Sequence, residues 1–120
     1  MDEIRFDWVA HRLDDNSKKG GRIMPTYISL MNLTEQGIKN IKDAPKRLQE
    51  GVKALEAMGG RLIGIYLVMG EYDYVGIAEA PNDEVVAAFM LGLGAGGSVR
   101  TKTMRAFTPE QLAGIIGKIP

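Results

Sequence analysis

Residues 61–80 read RLIGIYLVMGEYDYVGIAEA, and this stretch decides the fold. Arg61–Met69 is strongly apolar and rich in residues that suit a pleated surface, so it is expected to be a strand. Gly70-Glu71 interrupts it. Tyr72–Ala80 forms a second strand, and Pro81 stops that one. Glycine at the first loop position suits a type II′ turn, which joins the two as an antiparallel hairpin.

The neighbours of the hairpin follow the same logic. Upstream, Pro25–Leu33 (PTYISLMNL) reads as a strand, opened by a proline that a first strand position tolerates. Thr34 is a candidate N-cap for a helix with apolar residues at Ile38, Ile41, Leu48, Val52 and Leu55. Pro45 interrupts that stripe, and with Asp43 as a second cap it predicts a kink or two abutting helices. Gly59-Gly60 closes the segment. Downstream, Asn82 caps a helix carrying Val85, Val86, Phe89, Met90 and Leu93, whose end is loosened by the glycines between Gly92 and Gly97. Ser98–Phe107 (SVRTKTMRAF) is a fourth strand. Thr108-Pro109-Glu110-Gln111 is a strong helix start, and Leu112, Ile115, Ile116 and Ile119 line the helix that follows. The order βαββαβ plus a C-terminal helix predicts an α+β, ferredoxin-like domain: a four-stranded antiparallel sheet with two helices on one face.

The other face predicts assembly. In Arg61–Met69 both sides are apolar, with Leu62, Tyr66 and Val68 on one and Ile63, Ile65, Leu67 and Met69 on the other. Two helices cover one face. Leaving the second wet exposes a patch on the order of several hundred Å², which monomers rarely tolerate. At ~25 cal/mol per Å², burying it favours association by several kcal/mol before entropic costs. A homodimer that stacks sheet on sheet is the expected solution. A monomer lidded by the terminal helix is the alternative.

Composition narrows the rest. The chain has 120 residues, 45% hydrophobic and 25% charged, with 15 basic and 15 acidic side chains and no cysteine. One domain is expected, without a disulfide framework, thiolate site or strongly basic nucleic-acid surface. Neither a nucleic-acid partner nor a membrane is expected, because no apolar run approaches the ~18 residues of a span. Residues 1–23 form an N-terminal extension, in which Ile4 and Trp8 could line a short helical stripe and the stretch from Asp14 to Gly21 is linker-like. Acids interrupt its start, so it is not a signal peptide, and a cytoplasmic protein is expected. Two readings of the extension stay open. It is a mobile arm, or translation begins at Met24, since Lys19-Gly20-Gly21 can be encoded by a purine-rich string like a ribosome-binding site. Residues 24–120 are then the domain proper.

The segment Gly70-Glu71-Tyr72-Asp73 and its flanks resemble the GYD domain family, named for a Gly-Tyr-Asp signature. The resemblance runs from Met24-Pro25-Thr26-Tyr27 through Thr34-Glu35-Gln36-Gly37 to Thr101-Lys102-Thr103-Met104-Arg105-Ala106-Phe107. It implies a dimeric α+β barrel and no settled activity. Gly70-Glu71-Tyr72-Asp73-Tyr74, with Gly97-Ser98-Val99 and Thr103, is more distantly similar to the effector domain of leucine-responsive (Lrp/AsnC-type) regulators. That similarity implies a site for amino acids or similar small effectors between subunits, with Gly70, Glu71, Tyr72, Asp73 and Thr103 as candidate ligand-binding residues. Residues 1–23 are too short for the DNA-binding domain of those regulators.

Each candidate has a plainer reading. Asp73 shares its face with Val75, Ile77 and Glu79, so it either meets a ligand amine or acts as a base, or it caps backbone N–H groups. Arg100 and Lys102 share one face of the last strand, with Thr101, Thr103 and Arg105 on the other. Arg100 or Arg105 could bind a carboxylate, or pair with Glu71, Asp73 or Glu79. Gly92–Gly97 satisfies G-x-G-x-x-G literally but follows a helix and precedes a strand, the reverse of a dinucleotide site. The single histidine, His11, lies outside the domain, so no His-ligated haem, metal or other cofactor is expected. Three functions remain: a small-ligand-binding or sensing homo-oligomer, a cofactor-independent monooxygenase- or isomerase-like enzyme using Tyr66, Tyr72 or Asp73 inside the barrel, or a purely structural or assembly role.

Overall fold

The computed structural model describes residues 18–19 and 22–120. The expectations for residues 1–17, including the Ile4–Trp8 stripe, lie outside the described residues. Lys18–Lys19 and Arg22–Ile23 pair as a short antiparallel ladder.

The main sheet has four strands: β1 (Thr26–Leu33), β2 (Arg61–Leu67), β3 (Tyr74–Glu79) and β4 (Val99–Ala106). Their order is β2-β3-β1-β4, and every neighbouring pair is antiparallel. Around the sheet lie α1 (Glu35–Lys39), α2 (Ala44–Ala57), α3 (Asp83–Ala95) and α4 (Pro109–Ile116). This is the expected α+β, ferredoxin-like arrangement with a C-terminal helix.

Three helices start where their cap residues say they should. Thr34 Oγ1 accepts from Gly37 N at 3.1 Å, and Asn82 Oδ1 from Val85 N at 2.9 Å. Thr108 and Gln111 complete a reciprocal box, at 3.2 and 2.7 Å. Each cap satisfies a donor that the first turn leaves without a partner, a stabilisation of typically ~1 kcal/mol. Asp43 departs from expectation. It stands at the cap position of α2 but makes no side-chain bond there. A 3₁₀ turn over Ile41–Asp43 runs directly into α2, so Pro45 falls in the first turn, where its missing N–H costs nothing.

Tyr27, Ala80 and Val86 form the buried core, with Val85 and Met90 packed against it. Along β1, Tyr27, Ser29 and Met31 are buried beneath the helices, while Thr26, Ile28, Leu30 and Asn32 alternate onto the opposite face and stay half-buried. Register extends that second, more open face across the sheet: Val75 and Ile77 on β3, and Arg100, Lys102 and Met104 on β4.

Two details of the hairpin differ from the sequence reading. The β2–β3 ladder closes at Leu67↔Tyr74, so the connection is the six-residue loop Val68–Asp73 rather than a two-residue turn. The register also shifts between Leu62 and Gly64. This bulge puts Leu62 opposite Ala78, on the helix side with Ile65 and Leu67, whereas Tyr66 opposes Val75 on the open side. Leu62 and Tyr66 therefore do not share a face. A Cβ on Gly64 would stand 3.4 Å from the Tyr66 ring, so the ring lies over the bare glycine.

Candidate functional site

At the end of the sheet where β1 finishes, three turns interlock. The loop Val68–Asp73 is closed by Val68 N donating to Asp73 O at 2.8 Å. Asp73 N donates to Met31 O at 2.9 Å, and Asp73 Oδ2 accepts from Leu33 N at 2.8 Å. With its amide nitrogen turned toward the loop, Asn32 donates to Glu71 O at 3.1 Å. Next along the chain, Thr34 N donates to Ser98 O at 3.0 Å and Thr34 Oγ1 donates to Gly97 O. Gln36 Nε2 reaches Gly96 O at 3.1 Å. These contacts demand glycine at two positions. A Cβ on Gly37 would lie 2.1 Å from Ser98 O, and Gly97 adopts φ 84°.

The candidate residues separate within this frame. Gly70, at φ 146°, and Glu71 are exposed at the loop tip. Tyr72 is half-buried, with the Lys102 ammonium 5.7 Å from its ring centre. Asp73 occupies one carboxylate oxygen with the Leu33 N–H, the backbone-capping alternative. Thr103 stands apart. It opposes Ser29 on the helix-facing side, and their hydroxyls are 2.7 Å apart. Gly70, Glu71, Tyr72 and Asp73 are thus brought together, and Thr103 is not brought to them.

The open face carries a pattern of its own near this end. Asn32 opposes Arg100, and Leu30 opposes Lys102 on one side and Val75 on the other. Two cations on the edge strand β4 therefore border an apolar floor made by Leu30, Val75 and, one register step further, Ile28 and Ile77.

A second cluster, at the opposite end of the sheet, was not found from the sequence. The Tyr27 hydroxyl donates to Asp83 Oδ1. Arg105 Nη1 lies 3.7 Å from the same oxygen, and its guanidinium stands 5.8 and 5.1 Å from the ring centres of Tyr27 and Phe107. The partner of Arg105 is therefore Asp83 on α3, not an acid of a neighbouring strand. Burial, then the Asp83 hydrogen bond and charge, push the Tyr27 phenol up to about 12, against the opposing influence of Arg105. It thus remains a proton donor through the neutral range. Beside it lies an open cleft of about 430 Å³, lined by Pro25, Pro81, Asn82, Asp83, Glu84 and Arg105. The available signal was weak: an acid one step after an N-cap, and an arginine whose face matched that of an isolated tyrosine.

With Tyr27 and Arg105 at one end and the Gly70–Asp73 loop at the other, both ends of the sheet are built from segments that carry the family resemblance. The GYD domain family matches residues 27–116, and the chain belongs to that family. A Thermus thermophilus protein named "Glutamine synthetase and cystathionine beta-lyase binding protein" is 40% identical over 90 residues, 74% of this chain and 95% of the relative. Among solved structures, the Mycobacterium tuberculosis leucine response regulatory protein LrpA is similar at TM-score 0.52 and 16% identity, covering 83% of this chain and 68% of that one. A crystal structure of a protein from Thermus thermophilus is similar at TM-score 0.45 and 23% identity, over 71% and 95% of the two chains. The LrpA likeness supports the fold. No described helix is long and apolar enough to cross a membrane.

Proposed function

We propose that this protein is a binding domain that docks onto a protein partner, and that metabolic enzymes are the partner class. The observation that carries this reading is the 40% identity to a relative that is itself named as a binding protein for glutamine synthetase and cystathionine β-lyase. The surface supports it. Met69 is 100% exposed, Leu67 72% and Ile119 69%, and the α4 stripe of Leu112, Ile115 and Ile116 is also exposed. Apolar surface of this extent is typical of association sites.

The working unit in this reading is residues 24–120, acting in the cytoplasm as a homodimer joined through the open sheet face. Ile28, Leu30, Val75, Ile77 and Met104 supply the apolar contact. Gly70, Glu71, Tyr72 and Asp73 lie at its border, where a small ligand would sense the assembled state.

The direct test mixes the purified chain with purified glutamine synthetase and cystathionine β-lyase from its own organism, followed by size-exclusion chromatography with light scattering. Co-elution with at least one enzyme is expected. Free migration beside both at tens of micromolar ends the docking reading.

A further inference from the structure

We infer that α4, with the turn that follows it, is the element that docks, and that its seat is an apolar groove on the partner enzyme. The inference rests on the docking reading above, and names which part of the chain makes the contact and what chemistry receives it.

Leu112, Ile115, Ile116 and Ile119 stand at i, i+3, i+4 and i+7, the spacing of one helical stripe. The helix proper ends at Ile116. Lys118 N donating to Ile115 O and Ile119 N to Ile116 O, both at 3.0 Å, carry the winding on to Ile119. A stripe of this spacing ordinarily faces its own core. Here every residue from Leu112 to Pro120 is exposed, and the four stripe residues are between 40 and 69% exposed. The segment is anchored at its start instead, by the buried Thr108 and its reciprocal box with Gln111. Helices shorter than ~12–15 residues are marginal in water without packing, and α4 has eight. A partner that covers the stripe supplies the packing that the chain itself does not.

Size and charge choose the occupant. The four side chains offer roughly 400 Å² of apolar surface, the size of the largest patch on a typical monomer. Two copies meeting stripe to stripe would bury about twice that, short of the ~1,200 Å² at which specific, stable interfaces begin. The cleft beside Tyr27 does not fit either, because Asp83, Glu84 and Arg105 line it. A groove closes on a helix from its flanks as well as its stripe and gathers more surface than a flat contact. A helix exposed on every side from Leu112 onward leaves room for those walls. No charged side chain lies between Glu110 and Lys118, so the matching groove is neutral along its length. Lys118 ends the run, and a carboxylate at that end of the groove complements it.

The test measures the affinity of the full chain for purified glutamine synthetase and cystathionine β-lyase from its own organism, with amide hydrogen exchange on the complex. The wild type is expected to bind at least one of them, and binding protects the amides of residues 112–119 at least tenfold. Leu112→Asp/Ile116→Asp loses at least tenfold in affinity, and Lys53→Asp on α2 does not. Gly114, at i+2 from Leu112, faces away from the stripe, and a Cβ there meets nothing within 4 Å. Gly114→Ala therefore firms the helix without entering the contact, and tightens docking about two- to fivefold. Circular dichroism and thermal melts check that each variant folds. A wild type that binds while the double variant is unaffected overturns the inference and leaves the docking reading standing. So does a loss at Met69→Asp with none at the double variant, which assigns the contact to the β2–β3 loop. A double variant that breaks the homodimer in light scattering assigns α4 to a second copy and also overturns it. A wild type that binds neither enzyme ends the docking reading and this inference together.

Discussion

Asp73 and Leu33 are forty residues apart in sequence and joined by one hydrogen bond, from Leu33 N to Asp73 Oδ2 at 2.8 Å. The bond ties the β2–β3 loop to the last residue of β1, just before α1 begins. A carboxylate accepting a partly buried backbone N–H is worth about 1.5–3 kcal/mol. Asp73→Ala is expected to destabilise by about that amount. Asp73→Asn keeps an acceptor oxygen and loses less. Chemical denaturation of the two variants checks this order, and equal losses would assign the role to charge alone.

Two glycine-to-alanine changes should act in opposite directions. At Gly37 the new methyl meets the Ser98 carbonyl oxygen at 2.1 Å, backbone against backbone, so α1 and the β4 approach cannot both hold position. A loss of at least ~2 kcal/mol is expected, on the scale of core overpacking. At Gly51, inside α2, a Cβ meets nothing within 4 Å. There alanine should stabilise by about 0.5–1 kcal/mol, the helix-propensity difference. Thermal melts of the pair measure both signs.

Tyr27 gives a pH signature. Its phenol is raised from 10.0 to about 12 in the folded protein, so the folded state holds that proton more tightly than the unfolded chain does. The contribution is fully present below pH 10 and is lost as pH rises toward 12. Tyr27→Phe should remove this loss. The stability difference between wild type and variant is expected to shrink between those limits, and a difference that stays constant across them would contradict the upward shift that burial, with Asp83 beside it, gives the phenol.

Placing a charge in the centre of the open face tests self-association. Ile77→Lys puts an ammonium on the apolar floor, opposite Ile28. Light scattering is expected to show a dimer for the wild type and a monomer for the variant, with circular dichroism unchanged. A monomeric wild type at micromolar concentration removes the sheet-stacked dimer.

Much of the architecture was legible because local signals agreed with one another. Thr34, Asn82 and Thr108 each announce a helix through a side chain that bonds three residues ahead, and such information is contained in a short window. The Asp73 alternatives were also readable, since an acid on an apolar face needs donors. The split of Thr103 from the loop was half-visible, because Thr103 and Lys102 alternate across β4. The length of the hairpin was not readable. Val68 and Met69 have strand-like side chains, but the ladder ends when Asp73 N turns to Met31 O, a choice made by a third strand. The Tyr27–Asp83–Arg105 cluster was hidden for the same reason: its members come from three separate segments and meet only after folding.

The irregular step between Leu62 and Gly64 acts as a phase shifter within β2. Before it, even-numbered positions belong to the helix layer; after it, they belong to the opposite layer. Which side owns Tyr66 is therefore encoded by a count of peptide units rather than by side-chain type. Substitutions along this strand leave that assignment in place, but adding or removing one residue there would exchange its lining for its exterior.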